Sequence, residues 1–277
     1  MESVIEELDE SSLRNVISFV HSVTGITIPE HKRTMIQRRL QSRLKFHSLT
    51  SYKDYIKLAK ASDDELTQFI NMVTTNETNF FRTDRVWEYF ENDYLPEFFK
   101  NHPGSTLSAW SAASSTGEEG YSIGMCCEDF KRKQPALFEY KVLGTDISSR
   151  VVDHATKGRY KGRSIDNFKI KRKEHCDRFF TASGEEYAIS SVLKSRVKFK
   201  IHNLFDILAE KEMFDIVFLR NVLIYFSSKD QEIVLRNLDK KMNPGGILVI
   251  GESESLTKLK SNFEFVSPLI YKKKGLS

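Results

Sequence analysis

The chain has 277 residues, of which 40% are hydrophobic and 29% charged, and its formal net charge is only +4. This length predicts one large or two modest domains, and the mild charge does not require a nucleic-acid partner. No apolar run reaches eighteen residues, and the acidic start MESVIEELDE lacks a signal-peptide core, so we expect neither membrane insertion nor secretion. Three cysteines without metal-ligand spacing predict a reduced, cytoplasmic protein with no metal site.

The first 75 residues predict a small all-helical domain, because apolar residues recur at helical spacing and never alternate. Ser11 or Ser12 can cap a first helix that ends at Gly25, and Pro29 suits the first turn of a second helix. Two further helical segments follow before residue 75.

From residue 76 to residue 277, short apolar runs alternate with helical stretches, which predicts an α/β fold with a doubly wound, mostly parallel sheet. The runs are TLSAWSA, YKVLGTDI, VKFKIHNL, FDIVFLRNV and GGILVIGES. The tail FEFVSPLIYKKK predicts an antiparallel edge hairpin around Pro268. The roughly fifty residues between the second and third runs exceed one crossover, which predicts a small insert at about 160–196.

The turn after the first predicted strand, WSAASSTGEEGYSIGM, has one central glycine where a dinucleotide fold carries a glycine-rich loop. We expect Gly117 to let the backbone approach a ligand. Glu118 and Glu119 would repel a pyrophosphate but suit the cationic cofactor S-adenosylmethionine. Asp146, at the end of the second strand, is placed to accept hydrogen bonds from a ribose.

Each of these acids also has a purely structural interpretation. Glu118 and Glu119 are favourable first-turn charges on any helix, and Asp146 could serve as a helix N-cap. Taken together, the three acids favour the sulfonium cofactor.

Two other segments carry candidate chemistry. FLRNVLIYF ends the fourth strand with Asn221 and Tyr225, but lacks the prolines that amino-group methyltransferases often place there. Tyr225 alone could be a rim aromatic. TTNETNFFR, residues 74–82, predicts a loop anchored by Phe80 and Phe81, and its position between helical domain and sheet suggests a lid.

In TTNETNFFR, WSAASSTGEEGYSI, TDIS, FLRNVLIYF and PGGILVIGESESL, the sequence resembles the CheR-type chemoreceptor methyltransferases. These are protein-glutamate O-methyltransferases that use S-adenosylmethionine, and the likeness covers nearly the whole chain in the right order. The resemblance implies S-adenosylhomocysteine as product. It implies the cytoplasmic domains of chemoreceptors, the methyl-accepting chemotaxis proteins, as partners, and we expect a monomer.

The resemblance also implies roles for individual residues. Arg82 and Tyr225 are the predicted catalytic residues, Arg82 holding a carboxylate of cofactor or substrate and Tyr225 orienting the attacking oxygen. No general base is expected, because a glutamate is already ionised at pH 7. The residues expected to contact the cofactor are Asn76, Thr78, Arg82, Glu119, Asp146, Asn203, Leu204, Arg220 and Asn221.

A basic stripe on the second predicted helix suggests where the substrate binds. Lys32, Ile36, Arg39 and Arg43 lie at i, i+4, i+7 and i+11, although most such stripes are solvated faces. In the family that the sequence resembles, the corresponding basic helix is implicated in recognition of the receptor. The resemblance therefore implies that residues 1–75 form a substrate-recognition domain, with Arg39 and Arg43 as predicted substrate contacts.

Some members of that family carry a glycine-rich insert that grips a C-terminal peptide tether of the receptor. Here the equivalent stretch FFTASGEEYAIS has only Gly184, so we predict no binding of the pentapeptide tether.

Two alternatives stay open from sequence. The first is an S-adenosylmethionine-dependent N-methyltransferase, which the absent prolines and the weak charge disfavour. The second is a non-catalytic S-adenosylmethionine-binding module, which the intact Arg82, Glu119, Asp146, Asn221 and Tyr225 disfavour. A nicotinamide dehydrogenase comes last, because the glycine pattern is wrong.

Overall fold

A computed structural model describes residues 5–134 and 136–275, with Arg163 described by its backbone alone. The N-terminal part is entirely helical over the residues described, with a single 3-10 turn at Glu30–Lys32 leading into its second helix. Its helices are α1 (Glu10–Thr24), α2 (Arg33–Phe46), α3 (Tyr52–Ala61) and α4 (Asp63–Val73). They enclose a core of their own, separate from that of the sheet.

The two ends of α1 test the predicted caps. The expectation of Ser11 or Ser12 as N-cap is wrong, because Asp9 accepts a hydrogen bond from the N–H of Ser12 at 2.7 Å and the helix begins at Glu10, two or three residues earlier than expected. A carboxylate serves this position as well as a hydroxyl does. The predicted end is confirmed, since Gly25 adopts φ 70° and its N–H bonds back to His21.

The remaining elements form one large sheet, the helices that cover it and a small second sheet. The segment between the two domains is helix α5 (Asp84–Tyr89), a π turn (Phe90–Tyr94) and α6 (Leu95–Asn101). The elements that follow are, in chain order, β1 (Thr106–Ala112), α7 (Glu118–Lys133), β2 (Glu139–Asp146), α8 (Ser149–Lys157), β3 (Arg159–Tyr160), α9 (Arg163–Lys171), α10 (Lys173–Phe179), β4 (Phe180–Ser183), β5 (Glu186–Ile189), α11 (Ser191–Arg196), β6 (Val197–Ile201), β7 (Phe214–Leu219), a 3-10 turn (Leu223–Tyr225), α12 (Ser228–Asp239), β8 (Met242–Ile250), β9 (Phe263–Ser267) and β10 (Ile270–Lys273).

The large sheet has the strand order β6-β2-β1-β7-β8-β10-β9, which confirms the predicted α/β class. Strands β6, β2, β1, β7 and β8 run parallel, and β10 and β9 add the predicted antiparallel edge hairpin. The chain moves outward from β1 to β2 and β6, then returns to the other side at β7. That reversal places a crevice at the carboxyl ends of β1 and β7, where open α/β sheets bind ligands.

The insert forms a second sheet of order β3-β5-β4, and the two short helices α9 and α10 lie between β3 and β4 in the chain. Phe80, from the segment between the domains, packs against Tyr160, Phe168 and Phe180 of this insert. Ring centroids lie 4.9 to 5.4 Å apart in these pairs. The insert therefore holds the segment 74–82 from one side.

Hydrogen bonds also join the helical domain directly to the sheet. Asn71 on α4 accepts from the hydroxyl of Ser148 at 2.7 Å and donates to the hydroxyl of Ser149 at 3.0 Å. The N–H of Thr27 donates to the carbonyl of Tyr225 at 2.8 Å. The proposed boundary between residues 75 and 76 falls in the segment between α4 and α5. None of the helices in the described ranges is both long and apolar enough to cross a bilayer.

Within the helical domain, Glu65 is a buried carboxylate at the centre of a polar cluster. Its Oε1 accepts from Nε of Arg43 at 2.9 Å and from the Tyr55 hydroxyl at 2.7 Å, and its Oε2 contacts Nη2 of Arg43 and Nε2 of His47. Burial alone would raise the pKa of Glu65, but these hydrogen bonds together lower it to about 2.

The charged form of Glu65 therefore stabilises the fold. Because its pKa in the folded state lies below the ordinary value of 4.5, its contribution is complete above about pH 4.5 and is lost as the pH falls towards 2. We expect Glu65→Gln to lower the free energy of unfolding by about 2 kcal/mol at pH 7, and by less at pH 3. Thermal unfolding of the full chain at both pH values measures this. The exposed Glu7→Gln is the control, and an equal loss at both pH values would contradict the assignment.

Candidate functional site

A cavity opens at the carboxyl ends of β1, β2, β6 and β7, and the helical domain and residues 74–82 cover its other side. Its lining residues are Thr24, Thr74, Thr75, Asn76, Glu77, Thr78, Asn79, Arg82, Ala113, Ser114, Ser115, Glu119, Asp146, Ile147, His202, Asn203, Leu204, Arg220, Asn221, Val222, Tyr225 and Phe226. All ten residues predicted to contact cofactor or reacting groups lie in this lining, although five separate segments supply them. Their individual roles stay predictions.

The turn after β1 is built from residues in the left-handed region, with φ 68° at Ala113, 50° at Ser115 and 96° at Gly117. The N–H of Ser115 donates to Asp146 at 2.9 Å, which fixes the turn against the end of β2. A buried carboxylate thus holds the backbone of Ser115, one of the two non-glycine residues with positive φ in this turn. Such strain persists where the surroundings determine it, often at a functional site.

The predicted role of Gly117 is wrong. It does not line the cavity, and a Cβ built there would lie 2.7 Å from the Cβ of Ala155 and 3.0 Å from the Phe199 ring. The glycine is needed because α8 and β6 pack closely against this turn, and because its φ disfavours a side chain. Close approach to a ligand is not the reason.

Asp146 lies at the position predicted for a ribose contact, and it is 7% exposed. Its two oxygens each accept one backbone N–H, from Ser115 at 2.9 Å and from Ser148 at 3.0 Å. Burial raises the pKa of Asp146, and these N–H groups oppose that shift. Ser148, and not Asp146, is the N-cap residue of α8. Each carboxylate oxygen keeps a lone pair for a further donor.

The two acids at the start of α7 have different surroundings. Glu118 does not line the cavity, since its carboxylate accepts from the hydroxyls of Thr116 at 2.6 Å and Ser164 at 3.1 Å. Burial raises the pKa of Glu118. The expectation that both acids face the ligand is therefore wrong for Glu118, because α9 of the insert supplies its partner.

Glu119 lines the cavity and forms a buried ion pair. Its Oε2 accepts from Nη1 of Arg220 at 2.9 Å and its Oε1 accepts from the hydroxyl of Ser111 at 2.8 Å. The Arg220 side chain is 2% exposed and also donates from Nη2 to the carbonyl of Arg82 at 2.7 Å. One guanidinium thus connects β1, the start of α7, the end of β7 and the segment 74–82.

Residues 74–83 contain no helix or strand, and they follow the edge of the cavity, as expected of the predicted loop. The hydroxyl of Ser115 donates to the carbonyl of Asn76 at 2.8 Å, and Nη1 of Arg82 donates to the carbonyl of Glu77 at 3.2 Å. Phe80 and Phe81 are 7% and 6% exposed, which confirms the aromatic anchor. The loop is therefore fixed at both ends, with the Arg82 guanidinium at the cavity.

Sequence reasoning missed the residue that shapes the end of β7. Glu254 is buried, and its Oε2 accepts the N–H groups of Gly251 at 2.6 Å and Asn221 at 3.0 Å. Its Oε1 accepts those of Val222 at 2.8 Å and Leu223 at 2.7 Å. Burial raises the pKa of Glu254 and the four N–H groups oppose that shift. The only signal in the sequence is the acid Glu254 in GESESL, the segment that directly follows β8.

The comparisons with known proteins agree with this architecture. Residues 76–271 match the family described as CheR methyltransferase, SAM binding domain, and residues 11–74 match CheR methyltransferase, all-alpha domain. The chain belongs to the CheR methyltransferase family. It is therefore an S-adenosylmethionine-dependent methyltransferase.

Three curated relatives cover nearly the whole chain. The chemotaxis protein methyltransferase Cher2 of Pseudomonas putida is 33% identical over 267 residues, 92% of this chain and 95% of its own. The chemotaxis protein methyltransferase of Borreliella burgdorferi is 31% identical over 96% of this chain and 95% of its own. That of Escherichia coli is 30% identical over 95% of this chain and 91% of its own.

The cavity of this family member suits S-adenosylmethionine. Asp146 has acceptor capacity left for two ribose hydroxyls. Among the described residues, the buried Nε of Arg220 and the hydroxyl of Ser114 have no hydrogen-bond partner, and both residues line the cavity. Two unpaired polar atoms in one buried lining are costly unless a ligand supplies partners.

The side of the cavity nearest β6 carries the predicted cofactor contacts Asn203 and Leu204. Oδ1 of Asn203 accepts the N–H of Phe205 at 3.1 Å, and its Nδ2 donates to the carbonyl of Val23 in the helical domain at 3.3 Å. Asn237 holds the carbonyl of Leu204 at 3.1 Å. Beside them His202, which the sequence did not single out, has a pKa lowered by burial and so stays neutral near pH 7.

The two predicted substrate contacts lie outside the cavity, and they differ from each other. Arg43 is not available to a substrate, because it forms the ion pair with Glu65. Ile36, which lies between Lys32 and Arg39 in the predicted stripe, is only 1% exposed. The predicted continuous basic stripe is therefore wrong. Arg39 donates to the carbonyl of Val73 at 2.9 Å and to the hydroxyl of Thr75 at 3.2 Å, at the start of the loop over the cavity.

The loop held by Glu254 gives a test of the site's construction. In Glu254→Gln, an amide NH₂ replaces one acceptor oxygen and faces two N–H donors, so the turn at Asn221 should lose its conformation. We expect the affinity for S-adenosylhomocysteine to fall at least tenfold, a loss of about 1.4 kcal/mol or more, in calorimetric titration. The exposed Glu264→Gln is the matched control. Unchanged affinity in Glu254→Gln would show that this carboxylate does not shape the site.

Proposed function

We propose that this methyltransferase transfers the methyl group of S-adenosylmethionine to glutamate side chains of chemoreceptors, the methyl-accepting chemotaxis proteins, and so serves chemotaxis adaptation. The observation that carries the proposal is the match to both CheR domains over residues 11–74 and 76–271. The names of the curated relatives, each a chemotaxis protein methyltransferase, support it.

The ionisable groups of the cavity fit an acceptor that arrives as an anion. Glu119 is engaged by Arg220 and Ser111, and Asp146 by two backbone N–H groups. The remaining acceptor capacity of Asp146 is assigned to the ribose hydroxyls, so we assign neither carboxylate as a general base. A glutamate carboxylate needs no such step, because it is ionised at pH 7.

When bound, S-adenosylmethionine would supply a methyl group on a cationic sulfur, and its transfer to a carboxylate oxygen would leave the S–C electron pair on the sulfur. The protein's task is to strip water from the carboxylate and to align it with that bond. Arg82 is half-buried with free donors at the cavity, and we assign it the capture of a carboxylate. Tyr225, held through its carbonyl by Thr27, orients the attacking oxygen with its hydroxyl.

We also propose that recognition does not use the receptor's C-terminal pentapeptide. The turn between β4 and β5 has the single glycine Gly184 and is followed by Glu185 and Glu186. The carboxylates of these two residues would repel the C-terminal carboxylate of the peptide. Titration with the pentapeptide tests this point, and saturable binding that is lost on deletion of residues 181–190 would contradict it.

The proposed reaction is tested with methyl-labelled S-adenosylmethionine and a chemoreceptor cytoplasmic fragment from the same cell. We expect label on the receptor that alkali releases as volatile methanol, because a methyl ester hydrolyses at high pH. Alkali-stable label would instead place the methyl group on nitrogen. Absence of label with intact cofactor binding would contradict turnover on this receptor.

A test variant and its control are compared in the same assay. Arg82→Ala should reduce the label about 100-fold, whereas Arg85→Ala, on the exposed face of α5, should keep it within about twofold. The affinity of Arg82→Ala for S-adenosylhomocysteine then assigns the guanidinium. Weaker binding indicates the cofactor's carboxylate, and unchanged binding indicates that of the substrate.

A further inference from the structure

The positive charge of the chain is concentrated in one part of the insert. Residues 159–178 contain eight Lys and Arg and three Asp and Glu, a net +5 that exceeds the +4 of the whole chain. The rest of the molecule is therefore close to neutral. The exposed cations among the described side chains of this stretch are Arg159, Lys161, Lys171, Lys173 and Arg178, of which Arg159 and Arg178 are paired with Glu186 and Asp129.

Lys171 and Lys173 border a groove on the surface, which we call the insert groove. One wall is formed by α9 and α10 through Lys171, Arg172 and Lys173, and the floor by Phe80, Phe81 and Phe168. The opposite wall carries the acids Asp84 and Glu88 of α5, and Glu174 lies among the cations. The groove is thus basic on the insert side and acidic on the α5 side.

The insert groove is continuous with the cofactor cavity. Asn79 and Arg82 line both, so the groove ends at the guanidinium that we assign to carboxylate capture. A chain lying in the groove would reach the cavity's mouth without leaving the protein surface. Neither of the two predicted substrate contacts on α2 lines this path.

The insert wall is braced against the loop over the cavity. The guanidinium of Arg172 lies 3.9 Å from the centroid of the Phe81 ring, and its Nη1 lies 3.1 Å from Oε1 of Glu91. Nζ of Lys169 lies 3.5 Å from the centroid of Tyr187. Since Lys169 and Arg172 are engaged in this way, the exposed Lys171 and Lys173 are left to meet a partner.

Ile170 adds an apolar contact in the middle of this basic wall. It is 83% exposed, the largest exposed fraction among the large hydrophobic side chains that the structure describes. It lies between Lys169 and Lys171 on α9 and lines the groove. An isolated apolar side chain flanked by lysines suits a partner with carboxylates around an apolar position.

We propose that the insert groove is a substrate-docking surface that takes an acidic segment of the receptor next to the glutamate being methylated. This inference rests on the proposed function. The segment lies with its carboxylates towards Lys171 and Lys173, because Asp84 and Glu88 repel it from the other wall. Ile170 contacts its apolar face, and Arg82 receives the acceptor glutamate at the cavity end of the groove.

The test measures methylation kinetics of the full chain with the double charge reversal Lys171→Glu/Lys173→Glu. The matched control is Lys272→Glu/Lys274→Glu, which makes the same charge change at the same spacing on the antiparallel edge of the sheet. We expect the insert variant to raise KM for the receptor fragment about tenfold, with kcat and affinity for S-adenosylhomocysteine within about twofold. The control should stay within about twofold throughout.

Each outcome separates the docking proposal from the proposed function. If the wild type gives alkali-labile label and both variants have the same KM, the groove does not dock the substrate and the function stands. If the wild type gives no label, the proposed function fails and the docking proposal with it. Binding of the wild type to phosphatidylglycerol vesicles that only the insert variant loses, with unchanged KM, would assign the wall to a membrane surface instead.

Cross-linking gives a second readout that does not depend on rates. All three native cysteines are buried, so Ile170→Cys supplies a single exposed thiol for a photoactivatable probe. We expect it to cross-link to the receptor fragment within about ten residues of the methylated glutamate. Phe265→Cys, on the exposed face of β9, is the control and should give no such product. Equal cross-linking from both positions would overturn the proposal.

Discussion

The site depends on one buried ion pair. Arg220 at the end of β7 binds Glu119 at the start of α7, and Glu119 in turn holds Ser111 of β1. The same guanidinium reaches the carbonyl of Arg82. Because the Arg220 side chain is 2% exposed, its charge is sustained by Glu119 and by the carbonyl of Arg82. The pair is better understood as a device that fixes geometry than as a source of net stability.

This pair also changes the electrostatic argument for the cofactor. Glu119 alone would attract a sulfonium strongly, but its charge is shared with Arg220 before any ligand enters. The attraction of the cavity for a cationic cofactor must then come also from Asp146 and from oriented hydroxyl and carbonyl groups. The unpaired Nε of Arg220 offers a donor to a carboxylate in the same cavity. A zwitterionic ligand satisfies both.

Buried carboxylates that accept several hydrogen bonds fix the local structure at several places in the chain. Glu65, Asp146 and Glu254 each accept several hydrogen bonds from donors that no helix or strand would otherwise satisfy. Each fixes a turn or a helix pair whose hydrophobic contacts alone would leave it free to move. Residues such as Asn221, with φ 58°, are held in this way.

The local pattern of apolar residues and of helix-ending glycines predicted much of the fold. The apolar run TLSAWSA coincides with β1, and Gly25 ends α1, because strand burial and helix capping are decided within a few residues. The parallel sheet and its antiparallel edge followed from the alternation of such runs. The residues gathered at the cavity followed from the rule that ligands bind beyond the carboxyl ends of strands, together with the family resemblance.

Apart from the N-cap of α1, the errors discussed next concern contacts between residues far apart in the chain. Gly117 is required by Ala155 and Phe199, Glu118 is turned away by Ser164, and Arg43 is bound by Glu65. None of these partners belongs to the same helix or strand as the residue that it constrains. Hydrophobic periodicity carries no information about them, because they arise only when the elements pack together.

The most direct measurement of this account is a double-mutant cycle on S-adenosylhomocysteine binding, using Glu119→Gln, Arg220→Gln and the double variant. Thermal unfolding of the full chain checks that each variant folds. The account predicts that each single change lowers the affinity at least tenfold. The double variant should bind only slightly more weakly than the single variant with the lower affinity, which corresponds to a coupling free energy of about 1.4 kcal/mol or more between the two side chains. Losses that simply add would contradict it, since Glu119 and Arg220 would then act on the ligand independently.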